Sequence, residues 1–213
     1  MKSNAFDFNT LLNAANSFPD QSYSDETFTI PEALVRTDLS GNKNLSQDAL
    51  ELEWMRIKDV YADSKYSMWG ENGVAEPADA IQGNLGNCWL VVAAMSIAED
   101  PDRIYDIFEI KEKNSFGMYA TQMWLLGMPI TVTIDDYLPV EKTDNQATRY
   151  AQVAKDGALW GPIIEKSFAK YIGNYESIDA GDASHGIEAM IGSPDIGLDH
   201  KTLIKENRGE ELW

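Results

Sequence analysis

The chain has 213 residues, of which 44% are hydrophobic, so it is long enough to bury one sizeable core. Its 35 acidic residues outnumber its 17 basic ones, which gives a net charge of −18. Phosphate groups would repel such a chain, so we expect neither a nucleic-acid nor a membrane partner. Most of the acidic side chains are expected to form a solvated surface, and the sharper alternative is that a few hold a hard cation such as calcium.

A single cysteine rules out a disulfide within the chain and favours a reducing compartment. The first eight residues lack the long apolar core of a signal peptide. No apolar run approaches the roughly 20 residues that span a bilayer. We therefore expect a cytoplasmic location, with association with the cytoskeleton as a narrower alternative.

Composition divides the chain into three parts. Residues 1–45 are polar and rich in Ser, Asn and Asp, which predicts an irregular N-terminal arm. Residues 46–195 carry the hydrophobic periodicity of a folded domain. Residues 196–213 are predicted to be a charged tail.

Within residues 46–195, hydrophobic spacing predicts both helices and strands. A helix is predicted over about 47–61 by four apolar residues at helical spacing, Leu50, Trp54, Ile57 and Tyr61. The segment after Cys88 is apolar on almost every side, so we expect its helix to run through the middle of the core. Asp135 and Asp136 follow a predicted strand and are expected to form a turn. The remaining predictions, which make the fold α+β, are helices over 88–98, 102–108, 159–172 and 185–190 and strands over 118–125 and 130–134.

A loop with two glycines leads into Cys88, and a strongly helix-forming run follows it. This places the thiol in the first turn of a helix, where unpaired backbone N–H groups and the helix dipole favour a thiolate. Gln82 lies six residues earlier, and its amide could donate to the oxygen that becomes negative when a carbonyl is attacked. The plainer alternatives are that Cys88 is a small buried hydrophobic residue and that Gln82 only stabilises the loop.

Three segments in order resemble the calpain-type, papain-like cysteine peptidases. The sequence Gln-Gly-x-Leu-Gly-x-Cys-Trp-Leu at 82–90 resembles their active-site signature. The segments at 133–139 and 159–170 resemble a strand end and a helix that follow it in the family. Asn87 departs from the aspartate that usually precedes the cysteine. The resemblance covers roughly residues 70–192 and implies the helix-rich first lobe of a papain-like peptidase, with a small antiparallel hairpin at its side.

The resemblance also implies catalytic roles for two residues. Cys88 would be the nucleophile of a calcium-stimulated endopeptidase. Gln82, together with the backbone N–H of Cys88, would hold the oxyanion.

A calcium site is implied by the same resemblance. Asp79 and Glu165 match its side-chain ligands, and backbone carbonyls of residues 72–74 would complete it. The residues alone leave two alternatives open, since Asp79 could be an exposed loop acid and Glu165 a helix-surface partner of Lys166 or another charge.

A papain-like site also needs a histidine base and an Asn or Asp to orient it, about 130–150 residues after the cysteine. Only 125 residues follow Cys88. His185 and His200 are expected to be surface or capping residues. We therefore expect the chain to hold the first lobe only and to be inactive alone.

Two functional hypotheses follow. The first is a calcium-dependent cysteine endopeptidase domain, completed by a second lobe from another polypeptide or from the rest of a longer protein. The second is a non-catalytic structural or scaffold protein, in which a protein partner covers the face toward the missing lobe. The expected partner is thus a protein, either a substrate or a component of a larger assembly.

Overall fold

The structure is a computed structural model that describes residues 8–17, 21–35, 51–61, 66–142, 148–194, 200–206 and 208. It has the predicted α+β arrangement, with helices beside two small antiparallel sheets. The predicted arm and tail lie partly outside the described residues.

The elements are numbered in chain order. The helices are α1 (Phe8–Ser17), α2 (Ile57–Val60), α3 (Cys88–Ala98), α4 (Pro101–Ile107), α5 (Trp160–Ile172), α6 (Ala183–Ile191) and α7 (His200–Lys205). The strands are β1 (Leu52–Arg56), β2 (Met118–Leu125), β3 (Met128–Asp135) and β4 (Tyr137–Glu141). The four helices predicted from residue 88 onward are confirmed to within two residues at each end. Among the described helices, none combines the length and the apolar character needed to cross a bilayer.

The predicted antiparallel hairpin is confirmed as β2 and β3, which pair from Met118 opposite Asp135 to Leu125 opposite Met128. Leu126 and Gly127 form its turn with φ values of 52° and 76°. Two consecutive positive φ values give a turn whose twist matches that of the flanking strands.

The predicted helix over 47–61 is wrong in the part that the structure describes. Leu52–Arg56 forms β1, and only Ile57–Val60 is helical, while residues 47–50 lie outside the described residues. Strand β1 pairs antiparallel with β4. Pairing with a strand far away in the sequence overrides the local helical spacing.

The core lies where α3, α5 and the hairpin meet. Its most deeply buried side chains include Leu90, Ile97, Ile134, Trp160, Ile163 and Phe168. Contrary to expectation, α3 does not run through the middle of this core. Val92 is 51% exposed and Met95 is 36% exposed, and the i, i+4 and i+7 spacing places both on the same face as Cys88. Helix α3 therefore presents an apolar stripe to solvent, beside the thiol.

Asp135 and Asp136 do more than form the predicted turn. Asp135 Oδ1 accepts a hydrogen bond from the Tyr137 N–H at 3.1 Å, as a turn former does. Both aspartates are also buried ion-pair partners, Asp135 of Lys166 and Asp136 of Arg56. Burial raises the pKa of Asp136, and the Arg56 guanidinium opposes that rise. The expectation missed these pairs because both cations come from distant elements.

Residues 21–35, within the predicted arm, pack against the domain. Phe28 and Leu34 are buried in the core. The Asp25 N–H donates to Asp135 Oδ2 at 2.7 Å, and Lys170 Nζ lies 2.6 Å from Asp25 Oδ2. This segment is therefore tied to the end of β3 and to α5.

Candidate active site

Cys88 is the first residue of α3, as the sequence predicts, and it is exposed. The N–H groups of Leu90 and Val91 donate to the Asn87 carbonyl at 2.9 and 3.2 Å and close the first turn. The N–H groups that precede them are free of helical partners. The thiol is therefore accessible, at the positive end of the helix.

The cysteine loop, residues 82–87, is held between two other backbone segments. On one side the Asn84 N–H donates to the Arg149 carbonyl at 2.9 Å. On the other side the Gly86 carbonyl accepts from the Ala180 N–H at 2.9 Å. A Cβ at position 83 would overlap the Tyr150 carbonyl oxygen, so this close approach requires glycine.

Gln82 is exposed, and its Nε2 donates to the Leu85 carbonyl of the same loop at 2.6 Å. The contact matches the plainer alternative, in which the amide stabilises the loop. It does not use up the amide, because a primary amide nitrogen carries two hydrogens and one of them remains for another acceptor. The oxyanion role of Gln82 stays a prediction.

Trp89 fixes the start of α3 to the segment before α6. Its Nε1 donates to the Ile178 carbonyl at 3.0 Å, and its ring meets Phe168 edge-on with centroids 5.5 Å apart. A Cβ at Gly181 would collide with the Trp89 ring. The residue after the thiol is therefore anchored by both a hydrogen bond and an aromatic contact.

Glu165 is buried in the middle of α5, so the alternative of a helix-surface partner is wrong. Its Oε1 accepts from the Ala151 N–H at 2.9 Å, and its Oε2 accepts from Asn87 Nδ2 at 2.7 Å. Burial raises the pKa of Glu165 to about 7, although these two donors pull it down in part. Sequence reasoning singled out Asn87 only as a departure from the family pattern and missed this contact.

Asp79 is also buried, so the alternative of an exposed loop acid is wrong for this residue. It ends a short 3-10 turn, and its Oδ2 accepts from Trp160 Nε1 at 3.0 Å and from the Glu76 N–H at 2.8 Å. Burial raises the pKa of Asp79, and the Trp160 hydrogen bond opposes this rise.

The donor chemistry of Asp79 and Glu165 fits a divalent cation. Neither carboxylate has an ion-pair partner among the residues that the structure describes. Buried carboxylates without a cationic neighbour tend to be protonated or bound to a metal, and carboxylate oxygens suit calcium. The described residues contain no group of three or more His, Cys, Asp and Glu side chains placed to hold a metal, so such a site would need backbone carbonyls as further ligands.

His185 is a surface residue, as the sequence predicts. It is exposed in the first turn of α6, and no hydrogen bond joins it to Cys88 in the described part of the chain. His200 begins α7. What the described residues assemble is an accessible thiol at a helix start, with an amide-bearing loop before it.

These features define a class of protein, the papain-like cysteine peptidases, in which a helix begins at the nucleophile. The family model of the calpain family cysteine proteases matches residues 23–213. The chain belongs to the calpain family.

Named relatives agree with this assignment. The chain is 28% identical to the human calpain-2 catalytic subunit over 187 residues, which are 86% of this chain and 25% of that protein. It is 28% identical to the Arabidopsis thaliana calpain-type cysteine protease DEK1 over 184 residues, which are 84% of this chain and 8% of DEK1. It is 31% identical to Caenorhabditis elegans calpain clp-1 over 144 residues, 66% of this chain and 18% of clp-1. The chain spans a quarter or less of the length of these relatives.

Proposed function

We propose that this chain supplies the first lobe of a cysteine endopeptidase, with Cys88 as its nucleophile. The observation that carries the proposal is the exposed thiol in the first turn of α3, behind a loop clamped from both sides. A thiolate is the reactive form of cysteine, and helix N-termini favour it.

The proposed reaction begins when the Cys88 thiolate attacks the carbonyl carbon of a peptide bond. A carbon–sulfur bond forms, and the carbonyl oxygen becomes an oxyanion that accepts hydrogen bonds from Gln82 Nε2 and the Cys88 N–H. The amine then leaves with a proton from a histidine, and water hydrolyses the thioester. That histidine would come from a second lobe, supplied by another polypeptide or by the rest of a longer protein.

Asp79 and Glu165 are the proposed holders of a calcium ion, together with carbonyls of residues 72–74. Bound there, the ion would neutralise two buried carboxylates that pair with no cation among the described residues. Glu165 also touches Asn87, the residue before the nucleophile. Asp79 lies three residues before Gln82. Calcium binding would therefore constrain both ends of the cysteine loop, through Asp79 before Gln82 and through Glu165 at Asn87.

The exposed stripe of α3 is the proposed contact surface for a protein partner, which would be the second lobe in the peptidase. The stripe consists of Cys88, Val92 and Met95. Exposed apolar residues grouped beside a reactive group mark an interaction site more often than scattered ones do. We propose a cytoplasmic location, because the only thiol in the chain must stay reduced to react.

A second candidate function is a non-catalytic scaffold built on the same lobe. One observation favours it, since Gln82 Nε2 donates to the Leu85 carbonyl at 2.6 Å, as an amide that only stabilises the loop does. In that case the stripe on α3 would serve only for docking in a larger assembly.

Covalent labelling separates the two functions. A peptide-based electrophile directed at cysteine peptidases should label Cys88 of the full chain faster than plain iodoacetamide does, once a histidine-bearing second lobe of calpain type is added. The Cys88→Ala variant is the control for specificity, since the chain has no other cysteine. If the ratio of the two labelling rates stays the same when the second lobe is added, the scaffold function is favoured.

A further inference from the structure

Asn87, the residue before Cys88, turns its side chain into the protein. It is 0% exposed and makes no cap for α3, although asparagine is a preferred capping residue. Instead its Nδ2 donates to Glu165 Oε2 at 2.7 Å. The side chain thus joins the residue before the thiol to the middle of α5.

In the contact between Asn87 and Glu165, the carboxylate of Glu165 has hydrogen-bond partners for both oxygens, whereas the amide oxygen of Asn87 has none among the residues that the structure describes. Each carboxylate oxygen of Glu165 accepts from an N–H donor, Oε1 from Ala151 and Oε2 from Asn87. Asn87 Oδ1 is buried without a hydrogen-bond partner in the described part of the chain. Leaving a buried acceptor without a partner is unfavourable, so the contact with Glu165 is kept in spite of this cost. The amide keeps this orientation because the reverse one would set Oδ1 against another acceptor, Oε2 of Glu165.

We propose that Asn87 is a positioning residue for Cys88. The side-chain amide of Asn87 holds the first turn of α3 against α5 through its hydrogen bond to Glu165, and this contact needs no cation. The backbone supports this role, because the Asn87 carbonyl also accepts the first hydrogen bonds of α3. A shift of this side chain would therefore move the turn that carries the thiol. The inference rests on the proposed role of Cys88, but its test reads thiol reactivity and does not require peptide cleavage.

Exchanging the two side chains tests the contact itself. Asn87→Asp would set two carboxylates against each other with no donor between them. In the double variant Asn87→Asp/Glu165→Gln the new glutamine can accept from the Ala151 N–H with its oxygen and donate to the new aspartate with its nitrogen. The double variant has the same net charge as the wild type, because the negative charge only moves across the contact. The single variant Glu165→Gln completes the double-mutant cycle.

The measurements are the rate of Cys88 alkylation by iodoacetamide and the urea midpoint, both in a calcium chelator at about pH 8, above the pKa of about 7 that burial gives Glu165. Asn87→Asp should slow alkylation about tenfold or more and lower the midpoint, whereas the exchanged pair should alkylate within about threefold of the wild type. Rescue by exchange is diagnostic because the double variant keeps the added aspartate next to the thiol.

Each outcome bears on the proposal. If Asn87→Asp does not fold and the exchanged pair does, the proposal is supported. If the exchanged pair is as slow or as unstable as Asn87→Asp, or if neither folds, the contact is not what positions the thiol and the proposal is overturned. The proposal would also be overturned if Cys88 of the Asn87→Asp variant were alkylated at the wild-type rate. A purely scaffolding protein would give the same pattern, so failure here and failure of the peptidase proposal are distinguishable.

Discussion

Lys166 on α5 and Asp135 at the end of β3 form an ion pair in which neither side chain is exposed to solvent. Lys166 Nζ also donates to the backbone carbonyls of Asp135 and Tyr137 at 3.0 and 2.6 Å, and it lies 4.4 Å from the centroid of the Trp54 ring. Burial lowers the pKa of Lys166, and the Asp135 carboxylate opposes that shift. One ammonium group therefore joins α5 to three strands.

Removal of this ammonium should strongly destabilise the fold. Lys166→Met leaves Asp135 buried without its cation, and breaking a buried pair in this way costs about 3–5 kcal/mol. Urea unfolding, followed by tryptophan fluorescence, measures the loss. The matched control is Arg103→Met, because Arg103 and Asp100 form a pair with both side chains at least half exposed, which should matter by less than about 1 kcal/mol. Equal losses in the two variants would contradict this prediction.

Glu165 should make stability depend on pH in a defined direction. Its pKa in the folded chain, about 7, lies above its ordinary value of 4.5, so the folded state holds the proton more tightly than the unfolded state. Its contribution to stability is complete below pH 4.5 and is lost as pH rises through about 7. The free energy of unfolding of the wild type, relative to Glu165→Gln, should therefore fall across this window by on the order of a few kcal/mol. Urea titrations in chelator measure it, and a difference that stays flat with pH would count against the burial argument.

Gly83→Ala should disturb the cysteine loop. The added Cβ would overlap the Tyr150 carbonyl oxygen, which is backbone and cannot turn away as a side chain can. We expect a loss of about 1–3 kcal/mol in stability and slower alkylation of Cys88. Asn84→Ala is the control, since it changes an exposed side chain of the same loop and keeps the backbone bond to Arg149. Similar behaviour of the two variants would show that the loop is not clamped as described.

Calcium should stabilise the chain if Asp79 and Glu165 hold it. At a calcium concentration of 100 times the dissociation constant, the gain in free energy of unfolding would be about 2.7 kcal/mol. Asp79→Asn should abolish the gain, whereas Glu109→Gln, at an exposed acid, should leave it intact. Thermal unfolding with calcium and with chelator gives the comparison. A gain that survives Asp79→Asn would place the ion elsewhere.

Local sequence patterns were enough to predict the elements around the thiol. Two glycines before Cys88 and an apolar run after it predict the loop and the start of α3, and period-two alternation predicts β3. Strand β1 could not be predicted in this way, because its partner β4 lies far along the chain. The same reason hid the ion pairs of Asp135 and Asp136, whose cations come from α5 and β1.

The candidate site was only partly predictable. The motif located Cys88, Gln82, Asp79 and Glu165, but no pattern indicates that Glu165 accepts a hydrogen bond from Asn87. That contact depends on how α3 and α5 pack, which a single sequence does not encode locally. The exposure of one side of α3 was missed for a related reason, since an apolar sequence does not reveal which face of the helix stays exposed.

Cleavage of casein tests the central proposal most directly, which is that Cys88 is the nucleophile of a lobe that requires a second one. We predict that the chain alone cleaves casein no faster than Cys88→Ala does. We also predict that addition of a histidine-bearing second lobe of calpain type produces cleavage that the Cys88→Ala variant lacks. Cleavage by the chain alone that depends on Cys88, or no Cys88-dependent cleavage with the second lobe bound, would contradict it.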